Sequence, residues 1–280
     1  MSNGDWPTLL CDSRHSGGQP ARPWRKPEKS LWQTSVEGWV RGAPVLRNGL
    51  LYVNSLAGYL TAIDARTGKL RWRFKAGAPL HSTPSLSAAH VLVTADDGKL
   101  YAIDGDRGEL RWQLAADAEV WASATVAGET IYFGDASGTM RAAGTRDGAL
   151  RWKRELGGKV YSTACVAGRK LFVGCGDGSI YCLDADSGAI AWKTAAANGI
   201  DCSPVVENGT LFIGSLDFFF YAVDAASGAV RWKYEAGLGI SSSPAVSRDL
   251  VVFGCKAGNL RALDAHTGKL IWAQRLGQVI

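Results

Sequence analysis

Residues 240–272, ISSSPAVSRDLVVFGCKAGNLRALDAHTGKLIW, carry their apolar positions in four short runs. The run ending in Ser-Pro-Ala-Val predicts a first strand. LVVFGC, β-branched and aromatic and bounded by glycine, predicts a second. NLRALD alternates outward polar with inward apolar residues and predicts a third; KLIWAQRL predicts a fourth. Short turns separate them, and no stretch keeps a helical period over a useful length. The same phrase returns as AIDARTGKLRW (62–72), AIDGDRGELRW (102–112), AAGTRDGALRW (142–152), CLDADSGAIAW (182–192) and AVDAASGAVRW (222–232). Four antiparallel strands per 40 residues, repeated radially, predict an all-β fold of the β-propeller class.

Each fixed position in the phrase has a physical task. Gly68, Gly108, Gly148, Gly188, Gly228 and Gly268 never vary, so the turn demands a backbone angle that a Cβ penalises. Four residues earlier, Asp64, Asp104, Asp184, Asp224 and Asp264 can bond turn amides, as can Thr67, Ser187, Ser227 and Thr267. The third copy has Gly144 and Asp147 at these two places, and a looser turn is expected there. Trp72, Trp112, Trp152, Trp192, Trp232 and Trp272 then fall 40 residues apart, with Trp32 another 40 before them. A buried tryptophan removes about 150–250 Å² from water, on the order of 4–6 kcal/mol at most. One such ring per blade can hold neighbouring blades together without any ligand.

The pattern Ala-x-Asp-x-x-Thr-Gly-x-x-x-Trp resembles the tryptophan-docking motif of quinoprotein-type propellers, the pyrroloquinoline-quinone-like repeat family, and covers 33–272 almost continuously. DWPTLLCDSRHSG (5–17) resembles the lead-in often found ahead of such propellers. Residues 33–272 supply six complete units. SLWQTS (30–35) brings a fourth-strand tryptophan with no regular first strand, and the final GQVI matches GLGI (237–240), the start of one. The expectation is a single domain over 1–280 with seven blades. Residues 1–31 are its lead-in, 32–280 the repeats, and both ends share a composite closing blade that removes exposed sheet edges. A cut from a longer protein is the rival reading.

Composition narrows the function. The net charge of +5 is modest and its basic residues are dispersed, which argues against a nucleic-acid partner. ARPWRKPEK (21–29) is the densest basic stretch and reads as a solvated connector. Arg71, Arg111, Arg151 and Arg231 read as charges guarding exposed outer strands. No apolar run is long enough to span a bilayer. The N-terminus lacks a secretory signal, so the chain is cytoplasmic as given, or periplasmic if a leader has been removed. Cys11, Cys165, Cys175, Cys182, Cys202 and Cys255 form no paired motif and read as free, buried thiols.

The repeats also serve as a comparison among themselves. One position, at the start of the first strand, varies freely between functional side chains: Arg41, His81, Trp121, Tyr161, Asp201 and Ser241. Its neighbours on either side are uniform. First strands line a propeller's channel, so these six are the expected binding residues at one mouth, suited to a protein, a peptide or a small polar ligand. A solvated rim that tolerates anything is the equal alternative. In SLDFFFYAVD (215–224), Phe218 replaces the glycine found at 58, 98, 138, 178 and 258. Phe218 and Phe219 therefore mark a possible hydrophobic contact, or local packing. No catalytic residue, metal site or cofactor is expected, since His15, His81, His90 and His266 are scattered and no nucleophile elbow or phosphate loop is present. Catalytic members of the resembled family hold a quinone and calcium with an adjacent Cys-Cys pair and several carboxylate and amide groups. This chain has no Cys-Cys, and Asp201 is the only carboxylate expected at the rim. The expectation is a non-catalytic interaction module, similar to the propellers of outer-membrane assembly lipoproteins or those appended to adenylating enzymes. Its partner would be a protein or peptide, and the chain a monomer or a domain of something larger. A quinone-dependent dehydrogenase or quinone-binding protein is the alternative.

Overall fold

A computed structural model describes Asp12, Arg14, His15 and residues 29–277. They form six sheets of four antiparallel strands, each sheet in simple chain order. Blade 1 consists of Val45–Arg47, Leu50–Asn54, Tyr59–Asp64 and Leu70–Lys75, and the other five repeat it at intervals of 40 residues. The short inner strands (Val45–Arg47, Ser85–Leu86, Thr125–Ala127, Cys165–Ala167, Val205–Glu207 and Ala245–Ser247) are followed outward by two buried strands and one exposed strand. Contacts between successive inner strands gather the sheets about one axis. Of the expected seventh, composite blade, SLWQTS (30–35) is described and forms no strand, although Trp32 docks on blade 1. The lead-in 5–17 apart from Asp12, Arg14 and His15, the connector 21–28 and the last three residues of GQVI lie outside the described residues.

The core sits between blades. Tyr52, Phe133, Phe172, Phe220 and Phe253 are fully buried there among leucine, isoleucine and valine. Each tryptophan of the series from Trp32 to Trp232 crosses a seam. The indole N–H of Trp32, Trp72, Trp152, Trp192 and Trp232 donates to the carbonyl 33 residues ahead in the next blade, at 2.8–3.4 Å. Trp112 departs from this, because the ring of His90 stands against it edge-on and itself bonds the Thr145 carbonyl. The docked indole also explains the invariant glycine beyond its positive φ. A Cβ on Gly188 would stand 2.6 Å from Trp152 Cε3. Trp272, by contrast, remains 40% exposed.

The turns follow the reading of the phrase. Asp64 Oδ1 accepts the Thr67 amide and hydroxyl at 2.9 and 2.8 Å, and Asp184, Asp224 and Asp264 repeat the arrangement. The third copy is not looser. Gly148 keeps φ 69 and its bond to the Gly144 carbonyl, with Asp147 capping the Ala149 amide instead. A bulge recurs in every blade where third and outer strands pair, so that Arg71 in blade 1 stands opposite no partner. Arg111 and Arg231 turn back from that bulge onto Asp104 and Asp224 at 2.7 and 2.6 Å.

Candidate functional site

Each inner strand begins at one mouth of the channel, and the 40-residue register sets equivalent residues side by side. Three of the six rim residues form a continuous stack. His81 lies on Trp121 with centroids 5.3 Å apart and planes 23° apart; Trp121 lies on Tyr161 at 4.8 Å and 18°. Cations close both ends. Arg41 Nη1 is 3.4 Å from His81 Nδ1, and Lys159 Nζ stands 5.7 Å from the Tyr161 centroid. Trp121 keeps 41% of its surface exposed although both faces are covered, so its edge is what the mouth presents. Asp201 and Ser241 continue the rim without joining the stack. Desolvation by burial raises the Asp201 carboxyl above its usual range, and Lys256 opposes this.

The column did not reveal everything around the mouth. Asp96 Oδ2 lies 3.0 Å from His81 Nε2, so Asp201 is not the lone carboxylate there. Asp96 belongs to a different column, in the turn between second and third strands, where the sister residues are Leu56, Ala136, Gly176, Leu216 and Lys256. Of the aromatic pair in blade 5, Phe218 sits in its turn 47% exposed with φ 79. Phe219 opens the third strand instead, packed near Tyr221 under Lys233. Phe218 thus stands at a turn tip and Phe219 does not.

Two residues below the rim runs a belt of hydroxyls. The amide of Ala43 donates to Thr83 Oγ1, Thr83 to Ser123 Oγ, Ser123 to Thr163 Oγ1, Thr163 to Ser203 Oγ and Ser203 to Ser243 Oγ, all at 3.0–3.1 Å. These amides lie just ahead of the inner strands, most of them on buried residues, and the hydroxyls supply the partners that strand pairing does not. Near the rim, blade 3 buries an ion pair, Arg141 Nη1 to Asp135 Oδ2 at 2.6 Å, with Asp117 2.7 Å from Nη2. Blades 2, 4 and 5 place tyrosine at that position and bond it to Asp97, Asp177 and Asp217.

The five cysteines among the described residues are free and buried. The rim does not fit a quinone with calcium. Such an ion needs several oxygen ligands converging on one point, whereas Asp96 at this mouth is held by His81 and Asp201 continues the rim outside the stack. Among the described residues, no group of three His, Cys, Asp or Glu could hold a metal. Among them, too, no helix is long and apolar enough to cross a membrane.

The family model of outer membrane protein assembly factor BamB matches residues 25–165 and 153–278. Among solved structures, the crystal structure of BamB from Moraxella catarrhalis matches with a TM-score of 0.80 at 20% identity, over 90% of this chain and 81% of that one. At that identity the likeness speaks for the fold. No curated protein matches the chain.

Proposed function

The chain belongs to the family of the outer membrane protein assembly factor BamB, and from that premise we propose that it is a non-catalytic scaffold that binds a protein partner through the stacked rim of its channel. The observation that carries this reading is the run Arg41, His81, Trp121, Tyr161 and Lys159. Three rings from three successive blades, capped by cations, hold their edges outward in a fixed order. Rigid aromatic and arginine side chains are the types that dominate binding energy at protein interfaces. They lose little rotamer entropy on binding because stacking has already fixed them. The partner chemistry that suits this arc is an extended segment whose carbonyls and acidic side chains meet Arg41 and Lys159 while apolar groups cover Trp121. The family match supports a role in outer membrane protein assembly, and of the two compartments open from the sequence that reading favours the periplasm.

The test is a photo-crosslinking side chain at position 121, with one at Leu270 on the exposed outer strand as reference. Adducts from position 121 to a component of outer membrane assembly support the proposal, provided that Arg41→Ala with Trp121→Ala removes binding of the purified component and leaves the melting temperature within a few degrees. Adducts from position 270 alone, or undiminished binding by the double variant, overturn it.

A further inference from the structure

Below the belt, at Pro204 to Val206, the channel holds part of the chain's own N-terminal region. The amide of Val206 donates to the Arg14 carbonyl at 3.4 Å, on the strand edge opposite its pairing with Leu211. The Cys165 thiol donates to the same carbonyl at 3.2 Å, and His15 Nδ1–H donates to the Pro204 carbonyl at 2.9 Å. His15 is fully buried.

The neighbouring blades show what these contacts replace. In blade 2 the hydroxyl of Ser85 reaches across to the Ala124 carbonyl of blade 3, and there Thr125 reaches to the Ala164 carbonyl of blade 4. The next member of the series is Cys165, whose counterpart carbonyl is Pro204. That link is not made directly. Cys165 turns to Arg14 and Pro204 is taken by His15, so a segment of another part of the chain has been spliced into an interblade bond. Among the described residues the slot lies at blades 4 and 5.

The hold is nevertheless light. His15 has φ 58, a left-handed conformation that a non-glycine side chain resists, and its buried Nε2 has no hydrogen-bond partner among the described residues. The Val206 bond is at the long limit of the hydrogen-bond range. Arg14 keeps its side chain largely in solvent, paired with Asp12 at 3.7 Å. A permanent core element would have its polar atoms satisfied.

We propose that the segment bearing Arg14 and His15 is a releasable latch occupying a peptide-accepting edge inside the channel, the kind of edge that takes an extended segment by strand addition with a side-chain donor for the Pro204 carbonyl. The argument uses contacts on the far side of the belt from the rim and stands whichever partner the rim takes.

Thiol chemistry reads the latch directly. Cys165 touches it; Cys202, equally buried, bonds Gly214 within blade 5 and reports only general opening. Labelling with dithiodipyridine, resolved by peptide mapping, should modify Cys165 at least tenfold faster in His15→Ala than in the wild-type chain, with Cys202 unchanged. A synthetic peptide of residues 12–18 added in trans should slow Cys165 again, and the same peptide with alanine for its histidine should not. Unchanged Cys165 labelling in the variant, or Cys165 and Cys202 rising together, overturns the proposal. Should His15→Ala not fold, the wild-type chain decides. Cys165 reacting about tenfold faster than Cys202 supports a latch that opens by itself, and equal rates overturn it.

Discussion

Substituting Gly188 by alanine tests whether the seams depend on indole docking or on turn geometry alone. Gly188 has φ 69, and its added Cβ would fall 2.6 Å from Trp152 Cε3. Gly128 is the control: φ is 59 and nothing lies within 4 Å of its added Cβ. Left-handed backbone costs an L-residue about 1–2 kcal/mol, and alanine's smaller unfolded-state entropy returns about 0.4–1 kcal/mol. Gly128→Ala should therefore cost about 1 kcal/mol. Gly188→Ala carries the same penalty and also evicts the indole, which is 8% exposed and donates to Ala185 at 2.8 Å. Losing that bond costs about 1 kcal/mol, and re-exposing half of a ring worth about 4–6 kcal/mol costs about 2–3. The total is about 4–5 kcal/mol, read from urea unfolding followed by far-ultraviolet circular dichroism. A double-mutant cycle sharpens the reading. With Trp152→Ala in place, Gly188→Ala should cost only about 1 kcal/mol. If Gly188→Ala is no worse than Gly128→Ala, or costs the same with and without Trp152, docking is not what fixes the glycine.

Phe218→Gly should raise stability by about 1 kcal/mol, because it relieves φ 79 in a turn where the sister residues are glycine; a loss of more than about 1 kcal/mol would mean the half-exposed ring is packed. Adding pyrroloquinoline quinone with calcium should leave the melting temperature unchanged, and a rise of several degrees would revive the dehydrogenase reading. Acid should open the latch: desolvation lowers the His15 pKa from 6.5 to about 4, against the Pro204 bond and Asp12. The released state thus binds the proton first, and latch stability is full above pH 6.5 and falls between there and about 4, by at most about 3 kcal/mol. Among the described residues, Asp12, Arg14 and the Cys165 thiol are the ionisable groups around it. The ratio of Cys165 to Cys202 labelling should climb at least tenfold from pH 7 to pH 5 and stay flat in His15→Asn.

Much of this molecule is written in its period. Strand runs, the turn formed by Asp64 and Thr67, and the docking tryptophans were legible because equivalent residues meet equivalent surroundings in every blade. The same register showed that Arg41, His81 and Trp121 would be neighbours. It could not show that their rings stack, because that depends on rotamers and on Asp96, which sits in another column. The hydroxyl belt lay hidden in Thr83, Ser123 and Thr163, small polar residues that pass for loop filler until the amides facing them are known. His15 carried no signal at all. Its partners are Pro204 and, through Arg14, Cys165, and no local pattern links residues so far apart in sequence.

The direction of docking has a mechanical consequence. Each indole from Trp32 to Trp232 reaches forward, from one blade into the turn of its successor. A pull that peels blade 6 from Trp232 would leave blade 5 held by Trp192 in the same way, and so on back along the chain. Each rupture regenerates the end it destroyed, so stretching should give a sawtooth of like events. Each would release about 40 residues of slack, roughly 130–140 Å of contour.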